Sequence, residues 1–109
     1  MNSMLEVLLY DAMFLSDAGF VFRKCCEGGF DVIVAFMLRD DVIDPGDCRN
    51  YAIRLASTNG HLEVVRLLFS DKRVDPSDCD NYAVRRASEN GHLKIVRLLL
   101  EDDRVDLIV

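Results

Sequence analysis

The chain has 109 residues, half of them hydrophobic, with 13 basic against 19 acidic side chains and a formal net charge of −6. That length suits one domain around one core, and so apolar a composition excludes an intrinsically disordered tail. The acidic balance argues against a nucleic-acid backbone or an anionic membrane as the main partner, because both attract positive charge.

In chain order, the first eleven residues hold no Lys or Arg and are broken by Glu6 and Asp11, which a signal peptide does not tolerate. Leu5-Glu6-Val7 echoes Leu62-Glu63-Val64, so residues 1–12 are predicted to form an N-terminal capping helix over the open face of segment 13–43. Further on, the longest uncharged apolar run, Val32 to Leu38, has 7 residues, far short of the ~20 that span a bilayer. Cys25, Cys26, Cys48 and Cys79 are read as reduced thiols, since two are adjacent and nothing signals secretion. The expected compartment is intracellular, cytoplasmic or nuclear.

The rest of the chain repeats itself. Shifted by 31 residues, block 44–74 falls on 75–105 with 21 of 31 positions identical, including Asn50-Tyr51-Ala52 on Asn81-Tyr82-Ala83 and Gly60-His61-Leu62 on Gly91-His92-Leu93. A degenerate copy, 13–43, keeps Arg23, Gly29, Val34 and Asp40 and the apolar class at Phe20, Phe22, Ile33, Phe36, Met37, Leu38 and Ile43. Residues 106–109 begin a further connection.

Each copy reads as helix, tight turn, helix, extended loop. Asn81 is expected to cap a first helix running from Tyr82 to Ser88, with Ala83 and Ala87 one turn apart as a small-residue stripe. Gly91 ends that helix in the left-handed conformation. Leu93, Val96, Leu99 and Leu100, widened by Ile95, give the apolar face of the second helix. Pro76 keeps Arg73-Val74-Asp75-Pro76 extended. One hairpin of such short helices leaves an apolar face bare, and stacking copies covers it.

The stretch Ala87-Ser88-Glu89-Asn90-Gly91-His92-Leu93-Lys94-Ile95-Val96-Arg97-Leu98-Leu99-Leu100, with its twin from Ala56 to Phe69, resembles the ankyrin repeat family. The resemblance implies an all-α helix-turn-helix solenoid of about three repeats, joined by short extended loops, in a single domain 1–109. This chain departs from the family at the helix start. Thr-Pro-Leu-His is replaced by Tyr51-Ala52-Ile53-Arg54, Tyr82-Ala83-Val84-Arg85 and, in the first copy, Phe20-Val21-Phe22-Arg23. The lost cap is assigned to Asn50 and Asn81. The 31-residue period is shorter than the family's ~33, which leaves a projecting β-hairpin without its usual sequence.

Three constellations are weighed against plainer roles. Asp44-Pro45-Gly46-Asp47 and Asp75-Pro76-Ser77-Asp78 read as turn chemistry in preference to carboxylate pairs for acid–base work. Cys48 with His61, and Cys79 with His92, lack the close ligand pairs of a zinc site, so no metal is assigned. Arg23, Arg54 and Arg85 form a ladder read as paired with Asp44, Asp75 and Asp106, in preference to an anion groove.

No nucleophile motif or phosphate loop is present, so the chain is read as a non-catalytic protein–protein interaction module with no cofactor. In the resembled family the partner-facing positions lie before the first helix and at its end. Here these are Asp47, Cys48, Asn50, Thr58, Asn59, Asp78, Cys79, Asn81, Glu89 and Asn90. The acids among them imply a protein partner with a basic or polar surface and salt-sensitive binding; neither nucleic acid nor membrane is expected. Two other readings are a structural segment of a longer array, self-associating through an uncapped C-terminal end, and a thiol-based metal or small-molecule site.

Overall fold

A computed structural model describes residues 18–39 and 43–107. The capping helix expected over 1–12 lies outside the described residues, as does part of the degenerate copy.

Among the described residues six helices stand in order: α1 (Ala18–Gly28), α2 (Asp31–Arg39), α3 (Asp47–Thr58), α4 (Leu62–Phe69), α5 (Asp78–Glu89) and α6 (Leu93–Leu99). Each odd-numbered helix turns back onto the following even one. The first helices α1, α3 and α5 pack in one layer, and the second helices α2, α4 and α6 in another. The result is a row of hairpins, elongated at 45 × 21 × 18 Å.

The turn inside each pair depends on its glycine. Gly29, Gly60 and Gly91 have φ of +81, +80 and +77°. In the last pair, the Gly91 N–H donates to the Ser88 carbonyl at 3.1 Å and the His92 N–H to the Ala87 carbonyl at 2.8 Å. This double closure satisfies carbonyls that a helix end leaves open, and it needs a residue without Cβ at the left-handed position.

The core runs between the layers. Ala52, Ala56, Ala83 and Ala87 are buried on the first helices, where their small size lets neighbours approach closely. The second helices contribute Val34, Met37, Val64, Val65, Leu68, Ile95, Val96 and Leu99. One expectation fails here. Leu93 and Leu100 are exposed at 63% and 44%, and the buried stripe of α6 is Ile95, Val96 and Leu99. Leu93 and Leu100 sit at the two ends of the helix, whereas their counterparts Leu62 and Phe69 are half-covered and pack on the core.

Among the described residues there is no strand, so no β-hairpin projects between the pairs. The connection after α4 is instead folded tightly by Asp71, which accepts from the Arg73 backbone N–H at 2.9 Å and holds its guanidinium at 3.0 and 2.8 Å. Asp102 and Arg104 repeat this one copy later.

Candidate interaction surface

The edge of the array where α3 and α5 begin is built by an unusual backbone. Asp44 and Asp75 accept from the backbone N–H two residues on, at Gly46 and Ser77, both at 2.9 Å, as turn aspartates do. Beyond them the chain winds left-handed. Cys48, Arg49 and Asn50 have φ of 55, 56 and 59°, and Cys79, Asp80 and Asn81 have 58, 55 and 61°. A left-handed turn of non-glycine residues costs roughly 1–2 kcal/mol per residue, with Asn the easiest to place there.

Two sets of bonds hold it. The Asn50 N–H donates to the Gly46 carbonyl at 3.0 Å, and the Asn81 N–H to Ser77 at 2.8 Å. Arg54 then reaches back from α3: Nε donates to the Arg49 carbonyl at 2.9 Å and Nη2 to the Cys48 carbonyl at 3.2 Å. Arg85 does the same to Asp80 and Cys79 at 2.9 and 3.3 Å. This corrects the expected pairing of the arginine ladder with Asp44, Asp75 and Asp106. Arg54 and Arg85 bind backbone carbonyls, Arg23 faces Asp47 at 3.6 Å, and Asp75 faces Arg104 at 3.6 Å. Carbonyls turned outward by a left-handed turn lie in the reach of an arginine one turn into the helix, and the fork takes two of them together.

The expected helix caps are also corrected. Neither α3 nor α5 has a side-chain cap bond from the residue preceding it. Asn50 points into the next copy, accepting from the Asp75 N–H at 2.8 Å and donating to the Asp78 carboxylate at 2.9 Å. Asn81 accepts from the Asp106 N–H at 3.2 Å. Because these residues are left-handed, their side chains cross the seam between repeats and leave their own helix N-terminus.

At the far end of the first helices the seam is again polar. Asn59 donates to the Glu27 carbonyl at 3.0 Å, Asn90 to the Thr58 carbonyl at 2.9 Å, and His92 Nε2 lies 3.1 Å from that same oxygen. The His61 ring lies over Gly29 and the His92 ring over Gly60, where a Cβ would come within 2.5 and 2.6 Å of ring atoms. Among the described residues no group of three His, Cys, Asp or Glu is placed to hold a metal ion.

The ten positions expected to face a partner therefore divide. Asp47, Cys48, Asn59, Glu89 and Asn90 are exposed; Thr58, Asp78, Cys79 and Asn81 are half-buried; Asn50 is buried. The four asparagines are tied into the seams. The Thr58 hydroxyl donates to the Arg54 carbonyl of its own helix at 2.8 Å. Glu89 pairs with Arg86 at 3.1 Å. The Asn50 amide beside Asp78 holds that carboxyl below its ordinary value, with help from the Cys79 N–H and from Arg49 and Arg54. Burial pushes the thiols of Cys25 and Cys26 up, the second far enough to make it an inert packing group.

Sequence reasoning passed over the aromatic column. Phe20, Tyr51 and Tyr82 recur every 31 residues, three before each ladder arginine. The Arg54 guanidinium lies 5.7 Å from the Tyr51 ring and 5.1 Å from Tyr82, while Arg85 and Arg86 lie 6.0 and 5.3 Å from Tyr82. Tyr51 donates to Glu27 at 2.9 Å, which raises the phenol and lowers the acid from their ordinary values. The column's period was the available signal. Phe20, Arg23, Lys24, Cys48 and Tyr51 line an open hollow of about 250 Å³ beside it.

Comparison with family models matches residues 4–108 to ankyrin repeats in three copies. The chain belongs to the ankyrin repeat family. Comparison with curated proteins and with solved structures gives no match. Ankyrin repeats as a class are protein–protein interaction modules and are generally non-catalytic. None of the described helices is long and apolar enough to cross a membrane.

Proposed function

We propose that this ankyrin repeat domain binds a protein partner along the edge formed by its left-handed turns and first helices, and that it does so inside the cell and without catalysis. The reading treats 1–109 as one domain, with a cap at 1–12, repeats at 13–43, 44–74 and 75–105, and the start of a connection at 106–109. The observation that carries it is the division of labour at the turns. Asparagines and histidines secure the seams, while Asp47, Cys48 and Glu89, beside the half-buried Cys79, stand at the surface of a rigid frame. A preorganised edge loses little freedom on binding, which favours recognition. Thr58, Asn59, Asn81 and Asn90 then shape the edge, and Asn50 and Asp78 fix its backbone.

The rim acids Asp47, Asp78 and Glu89 favour a basic or polar group on the partner, with association that weakens as salt rises. The test is capture of partners from native lysate by the unaltered chain and by an Asp47→Lys/Glu89→Lys variant, both exposed positions. Loss of a captured partner by the variant is the expected result. An identical set of partners removes this edge from consideration.

A further inference from the structure

On a molecule of net charge −6 the first-helix face gathers cations. Three guanidinium groups, Arg54, Arg85 and Arg86, lie within 6.0 Å of the Tyr82 ring centre, and of these Arg86 alone is in an ion pair among the described residues, with Glu89. Arg54 and Arg85 bond only to neutral carbonyls, through Nε and Nη2. Among the described residues neither forms an ion pair, and no bond is made by Nη1 of either. Asp78, whose carboxyl feels Arg54, is already bonded to Asn50 and faces Arg49 at 4.0 Å. Tyrosine faces against the guanidinium planes keep the planes oriented, because the ring's negative face attracts them.

We infer that the column in which Tyr51, Arg54, Tyr82 and Arg85 follow one another is a docking floor for carboxylate side chains of an extended peptide segment of the partner. The inference rests on the proposed interaction edge and adds that its floor, unlike its acidic rim, selects acids. Charge complementarity decides the occupant: a carboxylate completes each fork, whereas a lysine would face two cations that form no ion pair among the described residues. Spacing sharpens it. Packed helices lie about 8–10 Å apart, and an extended chain in the polyproline II form turns once in three residues and advances about 3.1 Å per residue, so acids at every third residue share one face and meet successive arginines.

The probes are a (Glu-Gly-Gly)4 peptide, a peptide of the same composition with its four Glu adjacent, a (Lys-Gly-Gly)4 peptide and a dT12 oligonucleotide, each titrated into the full chain with amide NMR. The spaced acidic peptide is expected to shift the amides of Tyr51, Arg54, Tyr82 and Arg85 and to bind about tenfold tighter than the clustered one, a difference near 1.4 kcal/mol. Arg85→Gln is expected to weaken it several-fold and Arg85→Lys less. The comparison of spaced with clustered peptide uses the unaltered protein, so it holds even if a variant loosens the turn. Equal binding of the two acidic peptides, no binding of either, or tighter binding of the basic peptide or dT12 overturns the carboxylate floor. The proposed edge stands or falls separately, on whether the rim variant loses its captured partner.

Discussion

Ser57 is fully buried, and its Oγ has no hydrogen-bond partner among the described residues. A hydroxyl sealed from water without a partner costs about 1–3 kcal/mol, while alanine fits the same space without the polar atom. Ser57→Ala should therefore raise stability by about 1 kcal/mol, read as a higher urea midpoint at unchanged slope. Asp80 raises a related point about backbone. It is exposed and its φ is 55°. Glycine removes the left-handed penalty of roughly 1–2 kcal/mol and adds back about 0.5–1 kcal/mol of chain entropy. Asp80→Gly should be stabilising by about 0.5 kcal/mol, and a lower midpoint would mean that the turn is not strained at this residue.

The helix pair is the unit at which the seam acts, and two glycines in equivalent positions isolate it. Gly60 and Gly91 share the left-handed conformation, yet a Cβ at Gly60 would sit 2.6 Å from the His92 ring, while a Cβ at Gly91 meets nothing within 4 Å. Gly91→Ala should cost about 1 kcal/mol, the backbone penalty alone. Gly60→Ala adds displacement of a ring whose Nε2 is held at the Thr58 carbonyl, so its cost should be on the order of 3 kcal/mol. Equal losses in parallel urea titrations would show that the histidine yields freely.

This contrast also marks how much of the element was legible beforehand. The 31-residue identity, the Gly-His step and the alanine stripe are local patterns with one geometric solution each, and they led to the row of hairpins. The left-handed turns were not legible, since three successive non-glycine residues with positive φ run against every local preference. What stabilises them is remote in the chain: Arg54 bonds five and six residues back, and Asn50 bonds 25 and 28 residues ahead. A cap assignment made from the nearest helix could not include those partners. The ladder was misassigned for the same reason, since matching charge by period overlooks carbonyls.

Across the whole molecule the joints after the second helices are ionic, and acid should loosen them. Arg73 donates to both oxygens of Asp71 and also to the Ile43 carbonyl of the preceding copy at 3.2 Å, so one guanidinium closes the turn and ties it to its neighbour. Those bonds hold the Asp71 carboxyl below its ordinary value, Arg104 does the same for Asp102, and the Asn50 amide does so for Asp78. A carboxyl lowered on folding binds its proton more readily in the unfolded chain. Its contribution is thus complete above the ordinary carboxylate value of about 3.9 and is lost as pH falls through that value to the lowered one. Relief of the acidic chain's self-repulsion works the other way, but it acts on scattered exposed acids that solvent and salt already screen. The urea midpoint should therefore stay level from neutrality to about pH 5 and fall below pH 4. Asp71→Asn should lower the midpoint at neutral pH and flatten the acid limb, because it removes one of the protonations that drive it. A midpoint that rises on acidification, or an acid limb unchanged by Asp71→Asn, would mean that these turns are held by their backbone bonds and not by the paired charge.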